Sequence, residues 1–290
     1  MKDSVVLGVD IGGSHLTAAL VNQSTKSFVG GSVVRVRVNS SGSAEEILNT
    51  WLMVISDIFK KFNISEKRIG IAMPGPFDYE KGISLIRGLN KYESLYQINV
   101  KENLASRLHI RVGNILMMND AACFLHGEVY GGAAQGYEHA IGLTLGTGTG
   151  TAIHHHGVTE DANLGPSPYK DSIADEYFST RWFVKRYKEL SGNTVRDVKE
   201  LTELYGTVGC VRKIFSEFVG NLADFLGHFA KKENPEVIVM GGNIAQCSDL
   251  FLADLLKTLA LAGVTAPLVK AKLGEDAAIL GAASLFKTDY

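Results

Sequence analysis

The sequence predicts an α/β protein made of two copies of one domain with a cleft between them. Two observations lead to this fold class. In each half, two apolar strands flank a glycine turn, at Gly12-Gly13 in the first half and within Leu145–Gly150 in the second. Each half also follows a mixed β-β-β-α-β-α order, which is typical of layered α/β domains that bind small ligands in a cleft.

The first half begins with short strands over residues 4–38, whose β-branched residues and partial alternation indicate a small antiparallel sheet. Ser43 and Glu46 have the spacing of a capping box, and apolar residues then repeat at helical spacing through Phe62. The remaining predicted elements of this half are a buried strand at 68–73, an amphipathic segment at 100–108, a strand at 115–118 and a helix at 121–130.

The second half opens with the hairpin sequence at 140–156, which repeats the pattern of residues 5–21. The elements predicted after it are helices at 172–190 and 208–231, a strand at 237–240, a helix that ends at Leu261 and a last helix at 277–286.

Composition is that of a soluble globular protein, with 46% apolar and 21% charged residues in a chain of 290. The 29 basic and 31 acidic residues form no block of like charge, so we expect small-molecule partners rather than nucleic acid. The start of the chain lacks signal-peptide architecture and no apolar run is long enough to cross a membrane, so we expect a cytoplasmic protein. The three cysteines, far apart and without CxxC spacing, support neither disulfides nor a cysteine zinc site.

Both glycine turns are followed by strand-like sequence, which excludes a P-loop and a dinucleotide fingerprint because those glycines open a helix. A glycine hairpin can direct several backbone N–H groups at an anion, and one in each half would hold a polyphosphate from two sides. Asp10, at the end of its strand, could orient Mg²⁺ or its waters. A single glycine hairpin would be an ordinary turn, but two of them, with Thr147 and Thr149 inside the second, favour phosphate binding.

Six motifs occur in a characteristic order along the chain. They are Asp10-Ile-Gly-Gly-Ser-His15, Pro74-Gly75-Pro76, Asn119-Asp120, Leu145-Gly-Thr-Gly-Thr-Gly150, Val239-Met-Gly-Gly-Asn243 and the closing GEDAAILGAASL at 274–285. Together they resemble the motifs of the ROK family of sugar kinases. The resemblance spans nearly the whole chain and implies duplicated actin-like ATPase (ribonuclease H-like) domains with a central cleft. The implied domains are residues 1–118 and 119–276, with a C-terminal helix at about 277–290 that packs back on the first.

The resemblance also implies ATP and Mg²⁺ as cofactors, with Asp10 at the metal. The first phosphate motif is Gly12, Gly13, Ser14 and His15, where His15 replaces a lysine of many relatives. The second is Gly146, Thr147 and Gly148, and the adenosine motif is Gly241, Gly242 and Asn243. By itself, a Gly-Gly pair after a buried strand is equally typical of a strand-to-helix turn.

Asp120 is the candidate general base, because phosphoryl transfer to a sugar needs a carboxylate that accepts the proton of the hydroxyl. The residues alone leave open whether Asn119 or Asp120 merely caps the following helix. Asn90 matches a family asparagine that contacts sugar hydroxyls, although an Asn beside Gly is by default a turn residue. The predicted substrate-binding residues are Gly75, Asn90, Asn119, Asn163 and Asp175.

The resemblance fails after the second hairpin, where relatives carry a Glu-x-Gly-His motif and a Cys/His zinc cluster. Asn163 and Pro166 stand at the Glu and His positions, and Asp175 at a later glutamate. The zinc cysteines have no counterpart, so no structural zinc is expected. The run His154–His156 cannot replace them, because neighbouring side chains of a strand point to opposite faces and at most two could share a metal. We therefore expect an altered sugar preference.

The leading hypothesis is an ATP-dependent kinase that phosphorylates a hydroxyl of a hexose or hexose derivative. One alternative is a catalytically weak or inactive sugar-binding or regulatory protein of the same fold, although the first motif begins too early for a preceding DNA-binding domain. Another is an actin-like ATPase that hydrolyses nucleotide without a sugar. The expected partners are sugar and ATP, with neither nucleic acid nor membrane, and a homodimer is implied by the relatives.

Overall fold

The computed structural model describes residues 5–286, which form two compact units. Within this range the first unit contains residues 5–132 and 275–286, and the second contains 133–274. The first unit thus extends beyond the boundary expected after residue 118. The reason is that the helix after this point packs against the C-terminal helix of the same unit.

The first unit is a sheet covered by helices. In chain order its elements are β1 Val5–Ile11, β2 His15–Asn22, β3 Ser27–Phe28, β4 Val34–Arg37, α1 Ala44–Lys61, β5 Ile69–Met73, β6 Phe77–Asp78, β7 Ile83–Ser84, α2 Val100–Leu108, β8 Ile115–Asn119 and α3 Asp120–Gly131. The main sheet has the order β3-β2-β1-β5-β8, and β4 also pairs with β2. Strands β1, β2 and β3 are antiparallel neighbours, whereas β1, β5 and β8 are parallel.

Helix α1 begins where the capping box predicts. The backbone N–H of Glu46 donates to the Ser43 hydroxyl at 3.2 Å, so this side chain satisfies one of the free donors of the first turn. The apolar stripe of the helix, with Trp51 fully buried, packs onto the core of the first unit.

The second unit repeats this plan. Its elements are β9 His139–Leu145, β10 Thr149–His155, β11 Val158–Asp161, β12 Pro168–Tyr169, β13 Ser172–Ile173, α4 Asp175–Phe178, α5 Thr180–Ser191, α6 Val198–Glu203, α7 Gly209–Glu233, β14 Val237–Gly241, α8 Leu252–Leu261 and β15 Leu268–Lys270. Its sheet order, β11-β10-β9-β14-β15, has the same sequence of antiparallel and parallel pairs as the first sheet. The predicted duplication is therefore confirmed.

The single helix predicted at 172–190 is wrong. The short hairpin β12–β13, helix α4 and helix α5 occupy this segment, and Ser179 between the helices has an extended backbone (φ −107°, ψ 164°). The break has a tertiary cause, because the N–H of Thr180 donates to the carbonyl of Gly146 at 2.8 Å instead of to the preceding helical turn.

The last helix, α9 Asp276–Ala283, belongs to the first unit and packs on β1, β5 and α3. It lies so close that a Cβ atom on Gly8, Gly70 or Gly127 would overlap its backbone. Glycine is required there by packing, since backbone meets backbone. The helix is shorter than the expected 277–290, and residues 287–290 lie outside the described range.

No helix within residues 5–286 combines the length and the apolar character needed to cross a membrane.

Candidate active site

Three of the sequence motifs meet at one edge of the first sheet. Because β1, β5 and β8 are parallel neighbours, their carboxyl ends share this edge, and register places Asp10 opposite Ala72 and Met73 opposite Asn119. Asp10 is near the end of β1, the Pro74-Gly75-Pro76 loop follows β5, and Asp120 follows β8. Loops at the carboxyl ends of parallel strands are where open α/β sheets bind ligands.

Asp10 and Asp120 form a pair of partly exposed carboxylates at this edge. Burial raises the pKa of Asp10 from 3.8 to about 7, and the negative charge of Asp120 adds to the rise. Burial likewise raises the pKa of Asp120, against the opposing effects of Lys91 and of the Ala121 backbone N–H. A pair in which the charge of one carboxylate disfavours the charge of the other can provide a proton acceptor and a place for a cation.

Two basic residues outside the motifs oppose the rise in pKa of these carboxylates. The charge of Lys91 lowers the pKa of Asp120, and that of Arg35 lowers the pKa of Asp10. Arg35 is itself held by an ion pair with Glu275 at 2.9 Å. The sequence gives no signal for Arg35, which looks like one more outward residue of a strand, whereas Lys91 follows the predicted Asn90.

Asn119 caps helix α3, which is one of the two roles that the sequence leaves open for Asn119-Asp120. Its Oδ1 accepts the N–H groups of Ala121 at 2.8 Å and Ala122 at 3.1 Å. Its Nδ2 donates to the Tyr79 hydroxyl at 3.3 Å, and that hydroxyl donates to the Met73 carbonyl at 2.9 Å. Asn119 is thus committed to positioning the start of α3, which fixes the place of Asp120.

The Pro74-Gly75-Pro76 loop lies against the same hydrogen-bonded group. A Cβ on Gly75 would come within 3.0 Å of the Tyr79 hydroxyl and 3.8 Å of Asn119 Nδ2. Glycine therefore lets the loop backbone approach the Asn119 cap, and Tyr79 is a site residue that sequence reasoning missed.

The first glycine hairpin is closed by its own backbone and opens outward. The N–H of Gly12 donates to the carbonyl of His15 at 2.8 Å, and His15 Nδ1 lies 2.9 Å from the Ser14 hydroxyl. A Cβ on Gly13 would meet no atom of the protein within 4 Å, and its φ is not in the left-handed range. Neither backbone conformation nor internal packing explains glycine at 13, so this position is free for an approaching ligand.

The segment that carries Asn90 is fixed by Glu93. The carboxylate of Glu93 accepts the backbone N–H groups of Leu89 at 2.6 Å and Asn90 at 3.0 Å, and such backbone hydrogen bonds over residues 88–90 hold the pKa of Glu93 below its usual range. Asn90 has a left-handed backbone (φ 56°), which Asn adopts more readily than most residues. The backbone of Asn90 therefore fits the turn interpretation. Its side chain is exposed, so the side-chain amide is available to a ligand.

The second glycine hairpin is tied to helices α4 and α5. The N–H of Gly146 donates to the carbonyl of Gly148 at 3.0 Å, and Arg181 donates to the carbonyl of Thr147 at 3.2 Å. One oxygen of Asp175 accepts the Thr149 N–H and the other pairs with Arg181 at 3.2 Å. A Cβ on Gly146 would meet nothing within 4 Å, as at Gly13 in the first hairpin.

The predicted sugar residues of the second unit are therefore in different settings. Asp175 is engaged with the hairpin. Asn163 is exposed in the loop after β11 with a left-handed backbone (φ 49°), where its N–H donates to Asp161 Oδ1 at 2.7 Å. Between them, Gly165 packs so closely on the Thr149 carbonyl that a Cβ would lie 2.6 Å from it, and Pro166 is exposed.

The Gly241-Gly242-Asn243 motif joins β14 to a 3₁₀ helix at Ile244–Leu250. Gly242 has a left-handed backbone (φ 87°), and a Cβ there would overlap the backbone of Leu145. The turn interpretation thus accounts for Gly242. Asn243 is exposed beside it and offers an amide to a ligand.

Cys123 and part of the histidine run lie in the core. Cys123 is fully buried in α3, and burial raises the pKa of its thiol well above the usual range, so it is a small core residue. In the histidine run, His154 is buried and bonds Thr159 at 2.7 Å, whereas His156 is exposed in the turn after β10.

Two ribonuclease H-like units, each with a glycine hairpin between its first two strands, define the actin-like ATPase fold. The chain belongs to the ROK family, whose sequence profile matches residues 6–166 and 170–289. It is 26% identical to the glucokinase of Thermotoga maritima over 97% of both chains. It is 25% identical to the N-acetyl-D-glucosamine kinase of Mannheimia succiniciproducens over 98% of this chain and 100% of the relative. The crystal structure of the ROK hexokinase from Thermus thermophilus superposes with a TM-score of 0.81, at 22% identity and 97% coverage of each chain.

Proposed function

We propose that the protein is an ATP-dependent sugar kinase that transfers the γ-phosphoryl group of Mg-ATP to a hydroxyl of a hexose or hexose derivative. The observation that carries the proposal is the pair Asp10 and Asp120 at the carboxyl edge of three parallel strands. The names of the curated relatives, glucokinase and N-acetyl-D-glucosamine kinase, support hexoses and N-acetylhexosamines as the substrate class.

Asp120 is the general base of this proposal. The sugar oxygen forms a bond to the γ-phosphorus while the bond from that phosphorus to the bridging oxygen of ADP breaks, and the hydroxyl proton passes to Asp120. Three features of the structure suit this role. Asp120 is partly exposed, Asn119 fixes the helix turn that carries it, and a raised pKa strengthens it as a proton acceptor.

Asp10 fits a magnesium site. Its carboxylate is half-buried beside a second carboxylate and has a pKa of about 7, so a nearby cation would remove the cost of its charge. Mg²⁺ favours oxygen ligands and usually keeps several waters, which a single protein carboxylate can orient. When bound, the ion supplies neutralisation of phosphate charge.

The phosphates of ATP are assigned to the two glycine hairpins. Within the two hairpin turns, Gly13 and Gly146 are glycines that neither conformation nor packing requires, and a missing side chain at these positions lets backbone N–H groups reach an anion. Gly12, Ser14 and His15 complete the first hairpin, and Thr147 and Gly148 the second. We assign the adenosine to Gly241, Gly242 and Asn243.

The sugar is assigned to Gly75, Asn90 and Asn163. Asn119 and Asp175 act indirectly, because Asn119 positions the start of α3 and Asp175 holds the second hairpin. Asn163 can donate as well as accept hydrogen bonds, and Pro166 has no side-chain donor. A sugar hydroxyl left without a partner costs roughly 1–3 kcal/mol. The sugar preference should therefore differ from that of relatives with Glu and His at these two positions.

The direct test is ADP formation from Mg-ATP with a panel of glucose, mannose, N-acetylglucosamine, N-acetylmannosamine and N-acetylgalactosamine. We expect one or more of these sugars to stimulate turnover, with a phosphorylated sugar formed in equal amount to ADP. The kinase proposal fails if no sugar stimulates turnover. A steady ADP release that is independent of sugar would instead indicate an ATPase, and sugar binding without turnover would indicate a regulatory protein.

The base is tested by Asp120→Asn, which keeps the size of the side chain and removes its basicity. We expect kcat to fall by about 10²–10⁴-fold with little change in melting temperature. Asp254→Asn is the matched control, because Asp254 is an exposed carboxylate in the first turn of another helix, α8. A fully active Asp120→Asn variant would exclude Asp120 as the base.

A further inference from the structure

A group of histidines and glutamates lies in the second unit, away from the phosphate hairpins. Glu138 directly precedes β9 and His139 begins it. His155 ends β10, His156 directly follows it, and Glu233 ends helix α7. We call these five residues the imidazole cluster. It is at the far end of the β9–β10 hairpin from Gly146, six strand residues or about 20 Å away.

Ring nitrogens and a carboxylate converge within this cluster. Nε2 of His139 lies 3.1 Å from Nε2 of His156, and one donor atom each from Glu138, His139 and His156 lie within 4.8 Å of one another. Two nitrogens bound to one tetrahedral Zn²⁺ are about 3.3 Å apart, since each Zn–N bond is about 2.0 Å. The spacing of the two imidazoles therefore suits two ligands of one ion.

We propose that Glu138, His139 and His156 bind a divalent first-row transition metal, with Zn²⁺ as the favoured ion. Imidazole nitrogen with one carboxylate oxygen suits Zn²⁺ better than Mg²⁺ or Ca²⁺, which prefer oxygen ligands. Three protein ligands leave a fourth position for water. The site differs in place and in ligands from the cysteine zinc cluster that this chain lacks, and the histidine run contributes to it together with His139.

The second ring nitrogen of His139 is held as a metal ligand requires. Its Nδ1 lies 3.0 Å from Nδ1 of His155, whose Nε2 lies 3.5 Å from the carboxylate of Glu233. If His155 donates from Nε2 to Glu233, its Nδ1 accepts the Nδ1 proton of His139, and Nε2 of His139 is left with a lone pair for the metal. Such outer partners fix the tautomer of a ligating histidine.

The backbone of the ligands is also fixed. One oxygen of Glu236 accepts the N–H groups of both Glu138 and His139, at 2.8 and 3.0 Å, which holds these two residues in place. Nδ1 of His156 lies 3.1 Å from the Glu138 carboxylate, and both side chains are largely exposed, so an ion can reach them from solvent. A bound metal would join the start of β9 to the turn after β10 and stabilise the hairpin from this end.

The test is Zn²⁺ binding to the full-length chain, stripped with EDTA and dialysed, by calorimetry, with Co²⁺ absorption in the visible as a probe of nitrogen ligation. We expect one Zn²⁺ per chain and a higher melting temperature that EDTA reverses. His156→Asn should weaken Zn²⁺ binding at least about tenfold, and Glu233→Gln should weaken it by about tenfold through His155.

His109→Asn is the matched control, since His109 and His156 are both exposed histidines with a left-handed backbone, which Asn also adopts. Asp10→Asn serves as a second control that removes the proposed magnesium ligand. Both controls should bind Zn²⁺ as the wild type does. The proposal is overturned if the wild type binds no Zn²⁺ stoichiometrically, if His156→Asn binds as tightly as the wild type, or if Asp10→Asn abolishes binding.

Discussion

The hydroxyl of Tyr92 donates a 2.6 Å hydrogen bond to the carbonyl of Gly12, eighty positions away in the sequence. Tyr92 is fully buried and packs edge-on against Trp51, and its backbone N–H donates to the carbonyl of Ser40 at 2.7 Å. The loop of Asn90 and Lys91 is thereby attached to the first glycine hairpin, so one residue fixes a proposed sugar contact relative to a proposed phosphate contact.

Tyr92→Phe should loosen this attachment while keeping the packing. We expect a several-fold increase in KM for ATP and a loss of about 1 kcal/mol in unfolding free energy, because the Gly12 carbonyl loses a buried donor. Steady-state kinetics and denaturant titration measure the two effects. Tyr205→Phe, which removes a hydroxyl 3.5 Å from the Leu250 carbonyl in the second unit, is the control and should leave KM for ATP unchanged.

Asp10→Asn should stabilise the free protein in a pH-dependent way. Asp10 has its pKa raised from 3.8 to about 7, so ionising it costs more in the folded than in the unfolded chain. This cost is absent below about pH 4, grows as pH rises through the range up to about pH 7 and is constant above it. The Asn variant avoids this cost, so its free energy of unfolding at pH 8 should exceed that of the wild type by up to roughly 4 kcal/mol, the upper limit that a pKa rise from 3.8 to about 7 implies.

Melting curves of the two proteins across this pH range, in EDTA and without nucleotide, measure the gain. Asp57→Asn, at an exposed carboxylate of α1, should show no such trend. A stability difference between Asp10→Asn and wild type that is the same at all pH values would contradict the assigned pKa.

Gly70→Ala should severely destabilise the first unit. A Cβ at Gly70 would overlap the carbonyl of Ala282 in α9, and both partners are backbone in the centre of the core, so neither can move cheaply. We expect a loss of at least about 3 kcal/mol, or insoluble protein. Thermal denaturation measures this loss. Gly113→Ala, at a site where a Cβ meets nothing within 4 Å, is the control and should leave the melting temperature nearly unchanged.

Asp175→Ala separates two roles of that carboxylate. In the structure Asp175 accepts the Thr149 N–H and pairs with Arg181, so its removal should loosen the second phosphate hairpin and raise KM for ATP more than KM for the sugar. Glu176→Ala is the control, because Glu176 also pairs with Arg181, at 3.3 Å, without contacting the hairpin. A rise confined to KM for the sugar would assign Asp175 to sugar binding, as the family alignment predicts.

Elements that depend on neighbouring residues were predictable from the sequence. The capping pair Ser43 and Glu46 predicts the start of α1. The amphipathic segment predicted at 100–108 is a helix with these bounds, and the glycine turns predict both hairpins. The position of Asp120 at the first residue of a helix also follows from local sequence, because an apolar strand gives way there to helical spacing.

Features that depend on distant parts of the chain were not predictable in this way. The apolar spacing of Phe178, Trp182 and Phe183 continues across Ser179, yet the helix breaks there because Gly146 attracts the Thr180 N–H. The roles of Lys91 and Arg35 likewise arise only when separate strands and loops come together. The site residues themselves stay predictions until the kinetic tests above are made.

Helix α9 packs against Gly8 of β1 and Gly70 of β5, so the core of the first unit depends on a helix that is synthesised late. During translation strands β1 and β5 leave the ribosome first, and α9 is made more than two hundred residues later. The second unit is continuous in sequence and can close as soon as residue 274 has emerged, whereas the first must wait. A frameshift or premature stop shortly before the codons of α9 would therefore damage the unit that was synthesised earliest, and with it the edge that carries Asp10.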